Sequence, residues 1–112
     1  MPKFYIMDAT DIRMMNMFVE TTSTTADSLI PPKSLLSLEL IKQKYMFVLE
    51  QILQYGNFNP LLFKQDDKDF LQKKKEELMT QQTQFQLRST ILEMKYRLIR
   101  LDERLQDLSG AR

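Results

Sequence analysis

Apolar residues near the C-terminus of this chain follow a strict heptad pattern. The members are separated alternately by four and three positions: Leu87, Ile91, Met94, Leu98, Leu101, Leu105 and Leu108. So narrow a stripe is typical of a coiled-coil seam, which has to be covered by a second helix. The pattern therefore predicts a helix that presents its apolar edge to a partner helix.

The C-terminal stretch, residues 66–112, contains no internal proline or glycine until Gly110. We expect one continuous helix over residues 66–108, about 60 Å long at 1.5 Å per residue. A break within residues 80–84, the sequence TQQTQ, stays open as an alternative. The helix predicted in the middle of the chain could cover only about half of this length, so the seam is expected to need a partner.

The middle of the chain, residues 31–65, shows a second helical pattern that ends at Tyr55. We expect Gly56 at the C′ position, just after the helix, where glycine is favoured. Its apolar face is wider than a coiled-coil seam, as expected for a helix buried in a bundle. The predicted core residues of this helix are Leu38, Ile41, Tyr45, Val48, Leu49 and Ile52.

The first part, residues 1–30, is predicted to carry a second contact surface. It combines an apolar motif with a short helix over residues 10–20, and its members are Phe4, Tyr5, Ile6, Met7, Ile12, Met15 and Phe18. Packing of this helix on the core of the same chain is the alternative. The polar run over residues 21–28, TTSTTADS, predicts a flexible linker, with a phosphorylated hinge as a further alternative.

Together these patterns predict an all-α protein. A short N-terminal helix and a linker precede an antiparallel helical hairpin, whose second arm is a very long coiled-coil helix. The chain has 112 residues with 43% hydrophobic and 28% charged content, which is typical of a folded domain.

The composition argues against an enzyme. Cysteine and histidine do not occur, which excludes disulfides, thiolate catalysis and a histidine general base. The acidic residues 66–69 lack the glycine and glutamate of a calcium-binding EF-hand loop. We expect no metal, no cofactor and no small-molecule substrate.

The net charge of +1 gives no general attraction to nucleic acid. The basic run Lys73, Lys74, Lys75 is followed by Glu76 and Glu77, which is typical of a solvated helix face. No apolar run approaches the roughly 20 residues of a membrane-spanning helix. We therefore expect a soluble intracellular protein, in either the cytoplasm or the nucleus, without membrane insertion.

Charged residues beside the seam indicate what kind of partner it would take. The flanking positions are mostly basic: Arg88, Lys95, Arg97, Asp102 and Arg104. In a parallel homodimer only Arg97 and Asp102 could pair, whereas an acid-flanked partner helix would satisfy more of the bases. The sequence thus predicts a non-enzymatic adaptor subunit of a larger helical complex with heterotypic partners. The alternatives are a homodimeric coiled-coil scaffold and a helical nucleic-acid-associated factor.

Overall fold

The computed structural model describes residues 9–30 and 35–109, with the backbone only for Leu35 and Leu36. These residues form four helices, α1 (Ala9–Asp27), α2 (Leu35–Asn57), α3 (Gln65–Thr80) and α4 (Gln84–Ser109). The predicted all-α class is confirmed for this part of the chain. The hairpin with one very long second arm is not found, because its predicted long helix is divided into α3 and α4.

The four helices form an elongated bundle in which sequence neighbours run antiparallel. The α1–α4 contact is the most extensive, and α2 with α3, α3 with α4 and α1 with α2 complete the ring. Polar contacts between neighbouring helices show that these helices run in opposite directions. The Tyr55 hydroxyl at the end of α2 donates to Asp11 at the start of α1 over 2.8 Å, and Lys42 in the first half of α2 donates to the Gln81 carbonyl just after α3 over 2.7 Å. The topology is therefore up-down-up-down.

One apolar core runs the length of the bundle, with side chains from all four helices and from the α2–α3 connector. From α2 the structure buries Leu38, Tyr45, Leu49 and Ile52, while Ile41 and Val48 pack against the core from its edge. The connector adds Leu62 and Phe63, which are both buried. The segments 1–30, 31–65 and 66–112 that the sequence suggests thus contribute to one shared core.

Helix α1 extends through most of the predicted linker, because it ends at Asp27 and not near residue 20. Its hydroxyl side chains donate to carbonyl oxygens four residues earlier, as Ser23 does to Val19 and Thr25 to Thr21. These bonds satisfy hydroxyl groups within the helix and allow Ser and Thr there. The prediction of a flexible linker over residues 21–28 is therefore wrong up to Asp27.

A buried hydrogen bond between side chains in this region links α1 to α2. The Thr22 hydroxyl donates to the Phe18 carbonyl over 2.7 Å and lies 2.8 Å from the Tyr45 hydroxyl, so Tyr45 donates to Thr22. Both side chains are buried. Burial raises the pKa of Tyr45 to about 12, although the bond to Thr22 works in the opposite direction.

The predicted continuous helix over residues 66–108 is wrong, because the helical backbone stops at Thr80 and resumes at Gln84. Gln81 adopts an extended conformation, with φ −82° and ψ 142°. Thr83 then caps α4, since its side-chain oxygen accepts the Gln86 backbone N–H over 3.1 Å. The break lies within the stretch 80–84 that the sequence left open.

Lys42 of α2 stabilises this break. Its buried ammonium group donates to the carbonyl oxygen of Gln81 over 2.7 Å and of Met79 over 3.5 Å. Carbonyl groups at a helix C-terminus lack intrahelical donors and carry partial negative charge. A lysine from the neighbouring helix therefore satisfies the end of α3.

Gly56 lies inside α2 and does not follow it, so its assignment to the C′ position is wrong. A Cβ atom at this position would lie 2.7 Å from Cδ2 and 2.8 Å from Cγ of Phe63. Glycine is therefore required by the close approach of the Phe63 ring. Tyr55 also contacts that ring edge-on, with centroids 5.8 Å apart.

Gly56→Ala should destabilise the protein by about 1–3 kcal/mol through overpacking against Phe63. An exposed helical glycine would show the opposite sign, because alanine favours a helix by about 1 kcal/mol. Urea unfolding measures the change, and Phe63→Leu in the Gly56→Ala background should recover part of the loss. A stabilised Gly56→Ala protein would contradict the contact.

Tyr45 should make the bundle sensitive to alkali. Because its folded pKa of about 12 exceeds the ordinary value of 10.0, its contribution is fully present below pH 10 and is lost as the pH rises towards 12. Tyr45→Phe should cost about 1 kcal/mol at neutral pH and remove this part of the alkaline destabilisation. Urea unfolding midpoints measured across this pH range test the prediction, with Tyr96→Phe, which changes an exposed tyrosine, as the control. If both variants lose equal stability at high pH, Tyr45 is not the cause of the alkaline sensitivity.

Candidate binding surfaces

The heptad seam of α4 lies inside the bundle. Six of its seven residues are at most 1% exposed: Leu87, Ile91, Met94, Leu98, Leu101 and Leu105. Leu108, in the last turn, is 44% exposed. The prediction that the seam lacks cover within its own chain is therefore wrong. The cover comes from α1, which makes its most extensive contact with α4.

Helix α1 covers the seam with a stripe of its own. Its buried residues are Asp11, Met15, Phe18, Thr22 and Ala26, and Leu29 follows just after the helix. Short side chains such as Thr22 and Ala26 permit close approach of two helix axes. These residues are spaced by four, three, four, four and three positions, as one face of a helix requires. A search for apolar residues misses this face because Asp11, Thr22 and Ala26 are polar or small.

The charges beside the seam are also used within the chain. Arg97 donates to Asp67 Oδ1 over 2.7 Å and Arg104 donates to Asp67 Oδ2 over 2.8 Å. Arg104 also donates to the Leu62 carbonyl over 2.6 Å, and the Arg97 guanidinium lies over the Phe70 ring, 4.4 Å from its centroid. The prediction that Arg97 and Arg104 face a partner helix is wrong, because both bind α3 and its connector.

Asp67 is the centre of this cluster and is buried. Its Oδ2 also accepts the Lys64 backbone N–H over 3.0 Å, which ties it to the start of α3. Burial by itself raises the pKa of the Asp67 carboxyl, but the bonds from Arg104, Arg97 and Lys64 outweigh burial and lower it. The carboxylate is therefore held ionised between two arginines.

The other charged residues beside the seam, Lys95, Asp102 and Arg88, form no ion pair with Asp67. Lys95 is partly exposed and makes no ion pair with any residue from 9–30 or 35–109. Burial, opposed by a bond from Gln106, raises the pKa of Asp102, and one of its oxygens is buried without a partner. Arg88 has a buried Nε atom that lacks an acceptor in the described part of the chain.

The predicted N-terminal contact surface divides into two parts. Phe4, Tyr5, Ile6 and Met7 lie outside the described residues. The other members belong to the core, since Met15 and Phe18 are buried and Ile12 packs against them. Packing on the core of the same chain, the alternative from the sequence, therefore describes these three residues.

Apolar side chains that do remain exposed occupy other positions. The large ones are Met17, Ile30, Leu40, Phe47, Phe58, Leu61, Met79, Phe85, Tyr96 and Leu108. Sequence reasoning missed most of these as candidate contacts. The signal was weak, because α2 carries apolar residues on both its buried and its exposed side.

Two grooves gather several of these residues. The first, which we call the α1–α2 groove, has a volume of about 400 Å³ and is lined by Met14, Met17, Phe18, Gln51, Gln54, Tyr55 and Phe58. The second, the α1–α4 groove, has a volume of about 300 Å³ and is lined by Leu29, Ile30, Gln84, Phe85 and Arg88. The α1–α2 groove uses the first half of α1, whereas the α1–α4 groove uses the residues that follow its last turn.

Neither a metal centre nor a membrane segment is found in the part that the structure describes. No group of three acidic side chains there is arranged to hold an ion. None of the four helices combines the length and apolar character needed to cross a bilayer.

Comparison with protein-family models, curated proteins and solved structures gives no match for this chain.

Asp67→Asn should destabilise the bundle by about 2 kcal/mol at neutral pH, because two arginines lose a charged acceptor. Since the folded pKa of Asp67 is lowered, its contribution is present above the unfolded value of about 3.9 and is lost as the pH falls through the folded value. The difference between wild type and Asp67→Asn should therefore shrink in acid.

Urea unfolding from neutral pH to about pH 2 measures this difference across the ordinary carboxyl range. The matched control is Asp66→Asn, since Asp66 is exposed and lies 3.6 Å from Arg97. It should cost less than about 1 kcal/mol. A gap between wild type and Asp67→Asn that does not change with pH would contradict the role of the carboxylate.

Proposed function

We propose that this protein is a non-enzymatic interaction subunit, an adaptor that binds helical protein partners. The observation that carries the proposal is the α1–α2 groove, an apolar concave surface whose rim includes Phe58 at 72% exposure. Exposed apolar side chains gathered in a groove are typical of protein contact sites, whereas scattered ones are not. The partner surface is thus assigned to α1 and α2, while the α4 seam holds the fold.

The chemistry of the α1–α2 groove suits the apolar face of a helix. Met14 and Met17 have unbranched side chains that adapt to the shape of a partner, and Phe58 can serve as an aromatic anchor. The polar lining residues are the neutral Gln51 and Gln54. Phe47 is exposed one turn before Gln51 and extends the apolar surface along α2. An amphipathic helix laid in this groove would bury these side chains.

The layout supports an adaptor with two contact regions. Met17 in the α1–α2 groove and Ile30 in the α1–α4 groove are separated by 13 positions along α1 and its end, which is about 20 Å at helical rise. Two small partners could therefore bind without overlap. Leu108 adds an exposed apolar residue at the end of α4, where the seam continues beyond its cover.

The same surfaces bear on the two alternatives, a homodimeric scaffold and a nucleic-acid-associated factor. A homodimer could form through the exposed apolar residues of α2, and the size of the free protein in solution distinguishes it from a heterotypic adaptor. Nucleic-acid binding gains little support, because several bases are already paired. Arg97 and Arg104 bind Asp67, and Lys74 binds Glu93 and Glu77.

Met17→Asp and Phe58→Asp should each weaken partner binding by about 30-fold or more, as loss of an anchor residue does. Both residues are exposed, so the helical content and unfolding midpoint should stay near those of wild type. Tagged wild type and variants are compared by quantitative affinity purification, followed by direct binding to the purified partner. Light scattering reports the oligomeric state of the free protein.

Two control variants separate this surface from the rest of the molecule. Tyr96→Asp replaces an exposed aromatic residue outside both grooves and should leave binding unchanged. Leu98→Asp places a charge in the core and should unfold the bundle, with loss of binding as a secondary effect. If the folded Met17→Asp and Phe58→Asp proteins bind every partner as wild type does, the proposed surface is wrong.

A further inference from the structure

We propose that the α1–α4 groove is a second, independent site, which binds a partner segment carrying a large apolar side chain next to a carboxylate. Arg88 is the residue that would bind the carboxylate. The proposal concerns a different surface from the α1–α2 groove, and either site can exist without the other.

The α1–α4 groove has an apolar floor and apolar walls. Leu29 is fully buried beneath it, and its sides are Ile30 at 56% exposure and Phe85 at 79% exposure. A solvent-exposed phenylalanine and isoleucine on either side of one groove leave apolar area that a partner side chain can cover. The volume of about 300 Å³ lies at the lower end of the range for ligand sites, so it suits one or two side chains.

Arg88 gives this groove a charge that its surroundings leave uncompensated. Arg88 lines the groove, and its guanidinium pairs with no carboxylate among residues 9–30 and 35–109. The arginines at the other end of α4 differ, because Arg97 and Arg104 share the Asp67 carboxylate. A carboxylate that enters the groove can accept two parallel bonds from the terminal N–H groups of the Arg88 guanidinium.

The position of Arg88 in α4 strengthens the preference for an anion. The helix begins at Gln84, so Arg88 lies in its second turn, close to the positive end of the helix dipole. The facing end of α1 carries one carboxylate, the exposed Asp27, but Asp27 forms no ion pair with Arg88. Arginine charge, helix dipole and apolar walls therefore point to an acidic and apolar segment of a protein partner.

The test uses three acetylated and amidated peptides of the form Gly-Leu-Phe-X-Gly, where X is glutamate, glutamine or lysine. Binding to the full-length chain is followed by backbone amide NMR shifts. The glutamate peptide should shift the amides of Leu29, Ile30 and Phe85 and bind about tenfold more tightly than the glutamine peptide, as a charge-assisted bond provides. The lysine peptide should bind most weakly, and added salt should reduce the difference between glutamate and glutamine.

Variants test whether Arg88 causes the preference for the glutamate peptide. Arg88→Gln should remove the advantage of glutamate over glutamine, whereas Arg100→Gln, an exposed arginine of the same helix, should keep it. Phe85→Ala should weaken the glutamate and glutamine peptides by similar factors. Three results would overturn the proposal: no shift at this groove with any peptide, equal binding of the glutamate and glutamine peptides, or an unchanged preference in Arg88→Gln. None of them bears on the α1–α2 groove, which Met17→Asp and Phe58→Asp test separately.

Discussion

Cover of the α4 leucine stripe by α1 is the contact on which the rest of this structure depends. Burial of a Leu, Ile or Met side chain contributes about 1.5–3 kcal/mol, and six such residues of α4 point into the core. To cover them α1 has to remain helical as far as Asp27, through a run rich in threonine and serine. The break at Gln81 then brings α4 back antiparallel to α3 and alongside α1.

Charge determines how α3 is placed on this α1–α4 pair. Asp67 is buried at the start of α3 and is shared by Arg97 and Arg104 of α4, which lie two turns apart. At the other end, Lys42 of α2 binds the final carbonyls of α3. A displacement of α3 by one turn would separate these groups and leave buried charges unpaired, which is strongly unfavourable. These polar contacts favour one register among the several that leucine-rich helices could adopt.

Apolar spacing made the helical class and the buried face of α2 predictable, because Leu38, Tyr45, Leu49 and Ile52 are large and regularly placed. It failed where small or polar residues occupy core positions, since Thr22 and Ala26 give no strong hydrophobic signal. The start of α4 was readable as Thr83 followed three residues later by Gln86, the pattern of a capping box. Gly56 was misplaced because its neighbour Phe63 is distant enough in sequence that only tertiary packing reveals the contact. The grooves depend on which faces are covered, which helical spacing alone does not determine.

Internal cover of the seam changes how partner binding should occur. A chain whose leucine stripe needed another protein would fold only upon association, and its binding and folding would be one process. Here α1 supplies the cover, so the described helices form the bundle without a second chain. The proposed binding would then be docking on preformed grooves, with little backbone rearrangement at the contact. In the proposed binding mode, groove residues such as Phe58 and Arg88 would determine partner choice without altering the fold, whereas the leucines of α4 stabilise the fold.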